Sequence, residues 1–426
     1  MELALRNVAG PLLLLGLAGA CGNASPGSDL TAYLDDLARN GQLTGSVLVS
    51  RRGEVLVKRG FGLADVATSA PDQPDTQFRI GSNTKQFAAM AIRLLAREGK
   101  LGIDDPICAH LDPCPAAWAP ITIQELIDHS SGLPDYTNFP DFPRLIGTPA
   151  TVEQLIARFG DLPLEFEPGS QWRYSNSGYV VLSEIIARVS GQSFAELCEA
   201  RIWGPLHMTR TLYDLNSPPK GTHATGYLSP GVEPVYLDMS EFDAAGAVAS
   251  TVEDLALWDA ALLDGSLLPA SDMAELFRPK IPCPSGGCAL ATDLGYADGW
   301  FVAEENGARY VYHWGRIDGF RSSNGFYPDE GVVVIVLSNL ETVDVWGIAS
   351  HLGKLALGHS QAERSAPLQA GLSGPDRPAA PDRSPPRPSG RSGGAAPTPD
   401  LHPERTPGLR WRSVGRAMAD PTRSPD

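Results

Sequence analysis

Ser82-Asn83-Thr84-Lys85 opens a strongly helical run that continues to Glu98 and closes at Gly99. Residues three apart on a helix share a face, so the Ser82 hydroxyl and the Lys85 amine are set side by side. A serine hydroxyl alone is a weak nucleophile and needs a neighbouring base to take its proton. Lysine serves as that base where burial or a nearby cation keeps it neutral. The pattern is short, and Ser217-Pro218-Pro219-Lys220 repeats it. Prolines are incompatible with a helix interior, so placement at a helix N-terminus selects the first copy.

Two further motifs follow in order. Tyr174-Ser175-Asn176 lies in a loop of turn formers, Pro168 to Tyr179, ahead of an apolar helical run from Val180 to Val189. His313-Trp314-Gly315 ends a β-like segment, Tyr310-Val311-Tyr312, and precedes a glycine-containing turn. Tyr136-Thr137-Asn138 and His351-Leu352-Gly353 repeat these spacings, the latter inside a helical pattern. Each motif is weak singly; the ordered trio in its surroundings is specific.

With these residues the chain resembles the penicillin-recognising serine hydrolases, in the branch of class C β-lactamases, D-alanyl-D-alanine carboxypeptidases and related esterases. The matching text is Phe78 to Phe87, Leu126-Ile127-Asp128-His129-Ser130-Ser131-Gly132-Leu133-Pro134, the Tyr174 loop, Ala245 to Thr251 and the His313 segment. The resemblance runs from about residue 30 to about residue 357. It implies an acyl-enzyme on Ser82, with Lys85 and Tyr174 as acid/base groups and His313 supporting the Tyr174 hydroxyl. It also implies an oxyanion hole from the backbone N–H groups of Ser82 and Arg316, beside Gly315. Asn176, a donor and an acceptor at once, suits the amide of a substrate. His129 is read as a structural residue of a loop bordering the site. The implied substrate is a small ester, peptide or β-lactam, with a D-alanyl-D-alanine carboxypeptidase or a penicillin-binding sensor that acylates without efficient turnover as the alternative. Class C β-lactamases carry lysine where His313 stands, and many relatives carry threonine where Trp314 stands. This favours esters or peptides, with Arg316 or Arg321 as the replacement cation for a substrate carboxylate. No cofactor and no metal are expected.

Strands are predicted at both ends of the chain: Gly45–Ser50 and Glu54–Gly60, then Gly299–Glu304, Ala308–His313, Ser323–Tyr327 and Val332–Leu337. Helices are expected at Leu30–Arg39 and about Val345–Leu357, and the middle is mainly helical. The expected fold is α+β: a mixed antiparallel sheet built from both chain ends, flanked by helices, with an inserted mainly helical domain. The α/β part covers about 29–81 and 240–358, and the helical part about 82–239.

The chain of 426 residues carries 34 Lys and Arg against 50 Asp and Glu, a net charge of −16. A nucleic-acid partner needs a cationic face, and none is expected. Arg6, an apolar run Val8 to Leu17 and Ala18-Gly19-Ala20 before Cys21 read as an export signal over residues 1–20. Ordinary cleavage after Ala20 and lipidation of Cys21 both fit. The lipoprotein is favoured because small residues directly precede a cysteine, with a polar linker, 21–28, behind it. The expected location is the cell envelope, the periplasm or the medium, with membrane attachment through the lipid. Cys108 with Cys114, and Cys283 with Cys288, bracket small loops suited to disulfides, which are preferred to a metal site at Cys108, His110, Asp112 and Cys114. Cys198 is read as a buried small hydrophobe. From residue 359 the chain is rich in Pro, Arg, Gly and Ser and is expected to be disordered.

Overall fold

A computed structural model describes residues 26–214, 216, 223–282 and 293–358. The expected export signal, Cys21, the expected pairing of Cys283 with Cys288 and the tail lie outside the described residues. Near the N-terminus, β1 (Gly45–Arg51) and β2 (Glu54–Phe61) form a hairpin across Arg52-Gly53. Both turn residues have positive φ, 51° and 80°, a combination that matches the twist of paired strands and that glycine adopts without strain. The second half supplies β3 (Asp293–Tyr296), β4 (Phe301–Glu305), β5 (Ala308–Ile317), β6 (Phe320–Tyr327) and β7 (Val332–Ser338). The sheet order is β2-β1-β7-β6-β5-β4-β3, antiparallel throughout. Strand β1 thus pairs with β7, and residues some 290 positions apart are locked in register, as with Val47 opposite Val336.

Strand β7 is buried along its whole length because both faces of the sheet are covered. Val332, Val334 and Val336 join one apolar cluster with helices α1 (Pro26–Arg39) and α6 (Val345–Ala356). Val333, Ile335 and Leu337 face the other way, into the cluster containing α2 (Thr84–Arg97) and α5 (Val252–Asp264). Alternate strand residues point to opposite faces, so an unbroken apolar run fits a strand between two cores. Helix α2 is buried continuously from Thr84 to Ile92, as expected of a helix packed on all sides. The helices α3 (Ile123–Ile127) and α4 (Asn176–Ser190) pack beside it.

Three features differ from the sequence reading. His313 does not end its strand: β5 runs on through Trp314 and Gly315 to Ile317, and the turn is Asp318-Gly319. The reason is pairing, since β6 begins at Phe320 and matches β5 residue for residue. Helix α2 is preceded by a separate 3₁₀ turn, Gly81–Asn83, that carries Ser82. A small sheet of Phe78–Arg79, Val248–Ser250 and Leu212–Tyr213 was not legible in such short segments. Cys108 and Cys114 form a disulfide, with Cα atoms 5.4 Å apart. Cys198 is a buried free thiol. Among the described residues no helix is long and apolar enough to cross a membrane.

Strand β5 meets the Ser82 turn at Gly315, where an added Cβ would stand 1.9 Å from the Ile80 carbonyl oxygen and 2.4 Å from Ser322 Oγ. Backbone cannot yield as a flexible side chain can, and overpacking typically costs about 1–3 kcal/mol. Gly315→Ala is therefore expected to lower the thermal unfolding midpoint and to reduce hydrolysis. An unchanged midpoint would show that this close approach constrains nothing.

Candidate active site

The Ser82 turn is built from a short strand that has run out of partners. Phe78 and Arg79 pair with Ser250 and Ala249, and Ile80 N–H donates to the Val248 carbonyl at 3.0 Å. Gly81 then takes φ +51°, with its Cα so near β5 that a Cβ would lie 2.9 Å from Arg316 N. Asn83 pins the turn from beneath by donating to Ser322 Oγ at 2.7 Å. Ser322 Oγ in turn donates to the Ile80 carbonyl at 2.7 Å.

One turn on, Lys85 is fully enclosed. Its Nζ donates to Ser82 Oγ at 3.2 Å, Asn176 Oδ1 at 2.9 Å and the Ala245 carbonyl at 2.7 Å. Burial disfavours the ammonium and pulls the pKa down to about 7, opposed by the charge of Asp135. A lysine with that pKa is partly neutral at neutral pH and is matched to proton transfer.

Tyr174 is clamped by His129. Arg173 N–H donates to the His129 carbonyl at 2.9 Å, and Ser175 N–H donates to His129 Nδ1 at 3.2 Å. The His129 ring lies 4.3 Å from that of Tyr174, so the loop on either side of Tyr174 is fixed to one residue. The structural reading of His129 agrees with this placement. Lys85 Nζ sits 4.8 Å from the Tyr174 ring centroid. The Tyr174 hydroxyl is shut off from solvent and forms no hydrogen bond of normal geometry, although Ser82 is near enough to favour its anion. Burial dominates and pushes the phenol well up, which makes Tyr174 a proton donor rather than a resting base.

His313 is buried, and its ring nitrogens face groups other than the Tyr174 hydroxyl. Nδ1 lies 2.6 Å from the carbonyl oxygen of Trp314, and Nε2 lies 3.0 Å from the Tyr296 hydroxyl. That pattern assigns the proton to Nδ1 and makes Nε2 the acceptor from Tyr296. Its ring centroid is 6.5 Å from that of Tyr174, so it packs behind the tyrosine without a bond to its hydroxyl. Burial, then the nearby Lys85 charge, push its pKa down to about 3.

Asn176 also departs from expectation. It borders the cleft, but its oxygen accepts from Lys85 and its nitrogen donates to Asp135 Oδ2 at 3.2 Å and Thr137 Oγ1 at 3.1 Å. The carboxamide is committed within the protein. Asp135 and Thr137 are the residues that sequence reasoning missed. Asp135 directly follows the quoted Leu133-Pro134, where a Pro-Asp pair reads as an ordinary turn.

The cleft before Ser82 measures about 270 Å³. Its apolar wall is Phe142, Ile146, Leu237, Phe242 and Ile317, and Arg316 and Asp318 stand at one side. Ile317 faces Phe320 across the two-residue turn; antiparallel pairs alternate between bonded and non-bonded, which leaves Arg316 N–H directed away from β6. The Arg316 side chain forms an ion pair with Glu341 at 2.5 Å, and Arg321 NH2 lies 3.5 Å from the same carboxylate oxygen. Trp314 stacks on Tyr174 at 6.4 Å and 16° and meets Trp346 edge-on at 5.0 Å.

The sheet thus carries a serine hydroxyl on a glycine-preceded turn, a desolvated lysine against it and a half-buried tyrosine alongside. The family description "Beta-lactamase" matches residues 30–352. The chain is 30% identical over 324 residues to Protein flp of Staphylococcus aureus, covering 74% of this chain and 63% of that protein. It thus spans under two thirds of that relative's length. It is also 30% identical to Penicillin-binding protein 4* of Bacillus subtilis, covering 73% and 71% of the two chains. D-amino acid amidase from Ochrobactrum anthropi SV3, solved with L-phenylalanine amide, superposes with a TM-score of 0.68 at 25% identity, covering 80% of this chain and all of that one. The chain belongs to the beta-lactamase family of serine hydrolases.

A base with a pKa near 7 makes a directional pH prediction. Loss of activity should follow protonation of Lys85, so kcat/KM should fall as pH drops through about 7. Lys85→Ala should remove about 10²–10⁴-fold of turnover with a smaller effect on KM. A profile flat from pH 5 to 8 would exclude a lysine base of this kind.

Proposed function

We propose that this protein hydrolyses small neutral esters or amides through an acyl-enzyme on Ser82. The observation that carries this reading is the enclosed Lys85 amine, 3.2 Å from Ser82 Oγ and pulled down to about 7. Ser82 Oγ attacks the substrate carbonyl while its proton passes to neutral Lys85. The tetrahedral oxyanion is held by the N–H groups of Ser82 and Arg316, where loss of one donor typically costs about 10²–10³ in turnover. As the intermediate collapses, the bond to the leaving group breaks and that group is protonated by Tyr174, which recovers a proton from the Lys85 ammonium. Water, deprotonated by the same pair, then attacks the acyl carbonyl; the bond to Ser82 Oγ breaks, and Oγ takes the proton back from the pair as the acid product leaves.

The wall of the cleft favours an apolar acyl group, since Phe142, Leu237 and Phe242 offer it area to bury. Carboxylate-bearing substrates gain less. Trp314 brings no hydroxyl, and Arg316 and Arg321 are both drawn to Glu341. A D-amino-acid amide or ester, which adds an ammonium to the acyl group, is the charged variant of this class, and a D-amino acid amidase shares the fold. Export to the cell envelope with a lipid on Cys21 completes the proposal; Cys21→Ser should then release an otherwise membrane-bound enzyme into the soluble fraction with unchanged specific activity, and a wild type that is already soluble would refute the anchor.

Purified protein should be labelled by a fluorophosphonate probe, and Ser82→Ala should abolish labelling while keeping the fold. Labelling that persists in Ser82→Ala would overturn the mechanism. Across a panel of short-chain esters, D-amino-acid amides and nitrocefin, the neutral substrates should turn over fastest. Trp314→Thr should raise kcat/KM for nitrocefin relative to a neutral ester, by about 10- to 100-fold for one hydrogen bond to a charged group. A burst of acylation without further turnover on every substrate would point to a penicillin-binding sensor instead.

A further inference from the structure

The carboxylate of Asp135 lies on the far side of Asn176 from Lys85, at a depth where an acid needs a reason to be. It is buried, and its Oδ1 accepts from Thr137 N–H at 3.1 Å and Thr137 Oγ1 at 2.9 Å, while Oδ2 accepts from Asn176 Nδ2 at 3.2 Å. Burial raises the pKa of this carboxyl, and all three bonds are donated to it, which together with the Lys85 charge opposes that shift and favours the ionised form. Thr137 Oγ1 takes the second N–H of Asn176 at 3.1 Å. Two acceptors on the Asn176 nitrogen leave the carboxamide one orientation, with its oxygen turned to Lys85 Nζ.

We propose that Asp135 is a positioning residue of the catalytic centre: with Thr137 it fixes the Asn176 amide so that its oxygen holds the Lys85 amine against Ser82, and its charge supports the ammonium formed when Ser82 is deprotonated. This rests on the acyl-enzyme reading above. The chain is continuous: Asp135 Oδ2 to Asn176 Nδ2, Asn176 Oδ1 to Lys85 Nζ, Lys85 Nζ to Ser82 Oγ. Other titratable groups face this chain from each element packed on it. His129, from the loop after α3, and His313, from β5, are both held neutral by burial beside Lys85. Tyr174, before α4, and Tyr179, within it, set their rings 4.8 and 5.2 Å from Lys85 Nζ, and both phenols are pushed up by burial. Tyr136 adjoins Asp135 and is likewise pushed up. Asp135 is the carboxylate whose charge opposes the desolvation of Lys85.

The sign follows. In Asp135→Asn the negative charge is gone and the ammonium loses support. The new amide nitrogen must also replace one carboxylate oxygen, and where it replaces Oδ2 it faces the Asn176 nitrogen, donor to donor. If Asn176 turns over to relieve that clash, its N–H groups point at Lys85 and only the neutral amine can accept. Both routes lower the Lys85 pKa, so the acid limb of kcat/KM should move to lower pH by about one unit, with kcat reduced and KM little altered. Asn176→Ala should move the limb in the same direction. In the double variant the losses should fall well short of the product of the single ones, as groups acting as a unit do.

The experiment is the pH profile of kcat/KM for a short-chain ester, with fluorophosphonate labelling and thermal unfolding recorded on each variant. An acid limb that stays in place in Asp135→Asn, while kcat and the thermal midpoint fall, would mean that Asp135 only stabilises the fold, and would overturn the proposal. Multiplicative losses in the double variant would overturn the route through Asn176. Should Asp135→Asn fail to fold, an unmoved limb in Asn176→Ala would overturn it equally. Wild-type protein that never labels at Ser82 would overturn the acyl-enzyme reading and this proposal with it, whereas normal labelling with an unmoved limb removes this proposal alone.

Discussion

A primary amine taken out of water is the constraint around which the rest of the site is arranged. Lys85 stands on a helix that is buried on every side, so its amine must either be neutral or find acceptors in place of solvent. The protein supplies both conditions: three acceptors within 3.2 Å, and enough enclosure to bring the pKa down to about 7. The acceptors come from separate places in the chain. Ser82 lies one turn back, Asn176 opens α4, and Ala245 precedes the short strand Val248–Ser250. Losing any one would leave a buried N–H without a partner, which costs about 1–3 kcal/mol and more for a charged group.

The same economy extends beneath Ser82. Gln86 donates to Asn83 Oδ1 at 2.7 Å and accepts from Trp258 Nε1 at 3.0 Å and Asn324 Nδ2 at 3.2 Å, while Asn324 also donates to Asp259 Oδ1 at 3.0 Å. Burial pushes Asp259 up to about 8, so this end of the seam is uncharged at neutral pH. A seam of paired polar groups inside an apolar core specifies one register between α2 and β6, because a shift would orphan several of them together. Aromatic rings close the opposite side, where His129 touches Trp172, Tyr174, Tyr179 and Tyr296 at centroid distances of 4.3 to 6.1 Å. The catalytic turn is thus held by hydrogen bonds below and by ring packing above.

The sequence was informative where a single short element carries the signal. The serine and lysine share a helical face, the strands Val332–Leu337 and Gly45–Ser50 are unmistakable in composition, and helix Val345–Ala356 follows from its periodicity. It was uninformative where a property belongs to tertiary pairing. His313 looked terminal because Trp314 and Gly315 resemble a turn, yet the partner strand continues β5 four residues further. Asn176 looked available to substrate because its neighbours Asp135 and Thr137 are some 40 residues away in sequence. Asp135 itself looked like a turn former, which it also is: it caps the 3₁₀ turn Tyr136–Asn138 through Thr137 N–H. One carboxylate serves the local turn and the distant amide, and only the second use bears on Lys85.

That double use explains why the site sits at the junction of the two halves of the chain. Ser82, Lys85 and the backbone of Arg316 come from elements against the sheet, whereas Asn176, Asp135 and Tyr174 come from the helical part between. Neither set holds the buried lysine alone: one side contributes the Ser82 hydroxyl and the Ala245 carbonyl, and the helical side contributes the Asn176 amide and the Asp135 charge behind it. Closing β1 onto β7 brings residues 46–51 and 332–337 together, and the loop entropy of so long a separation must be offset by burial on both faces of the sheet. Once that closure is made, the amine is enclosed and the acceptors are in place at the same time. On the proposed mechanism the reactivity of Ser82 is therefore a property of the assembled fold, since Lys85 becomes a base only when water has been excluded from it.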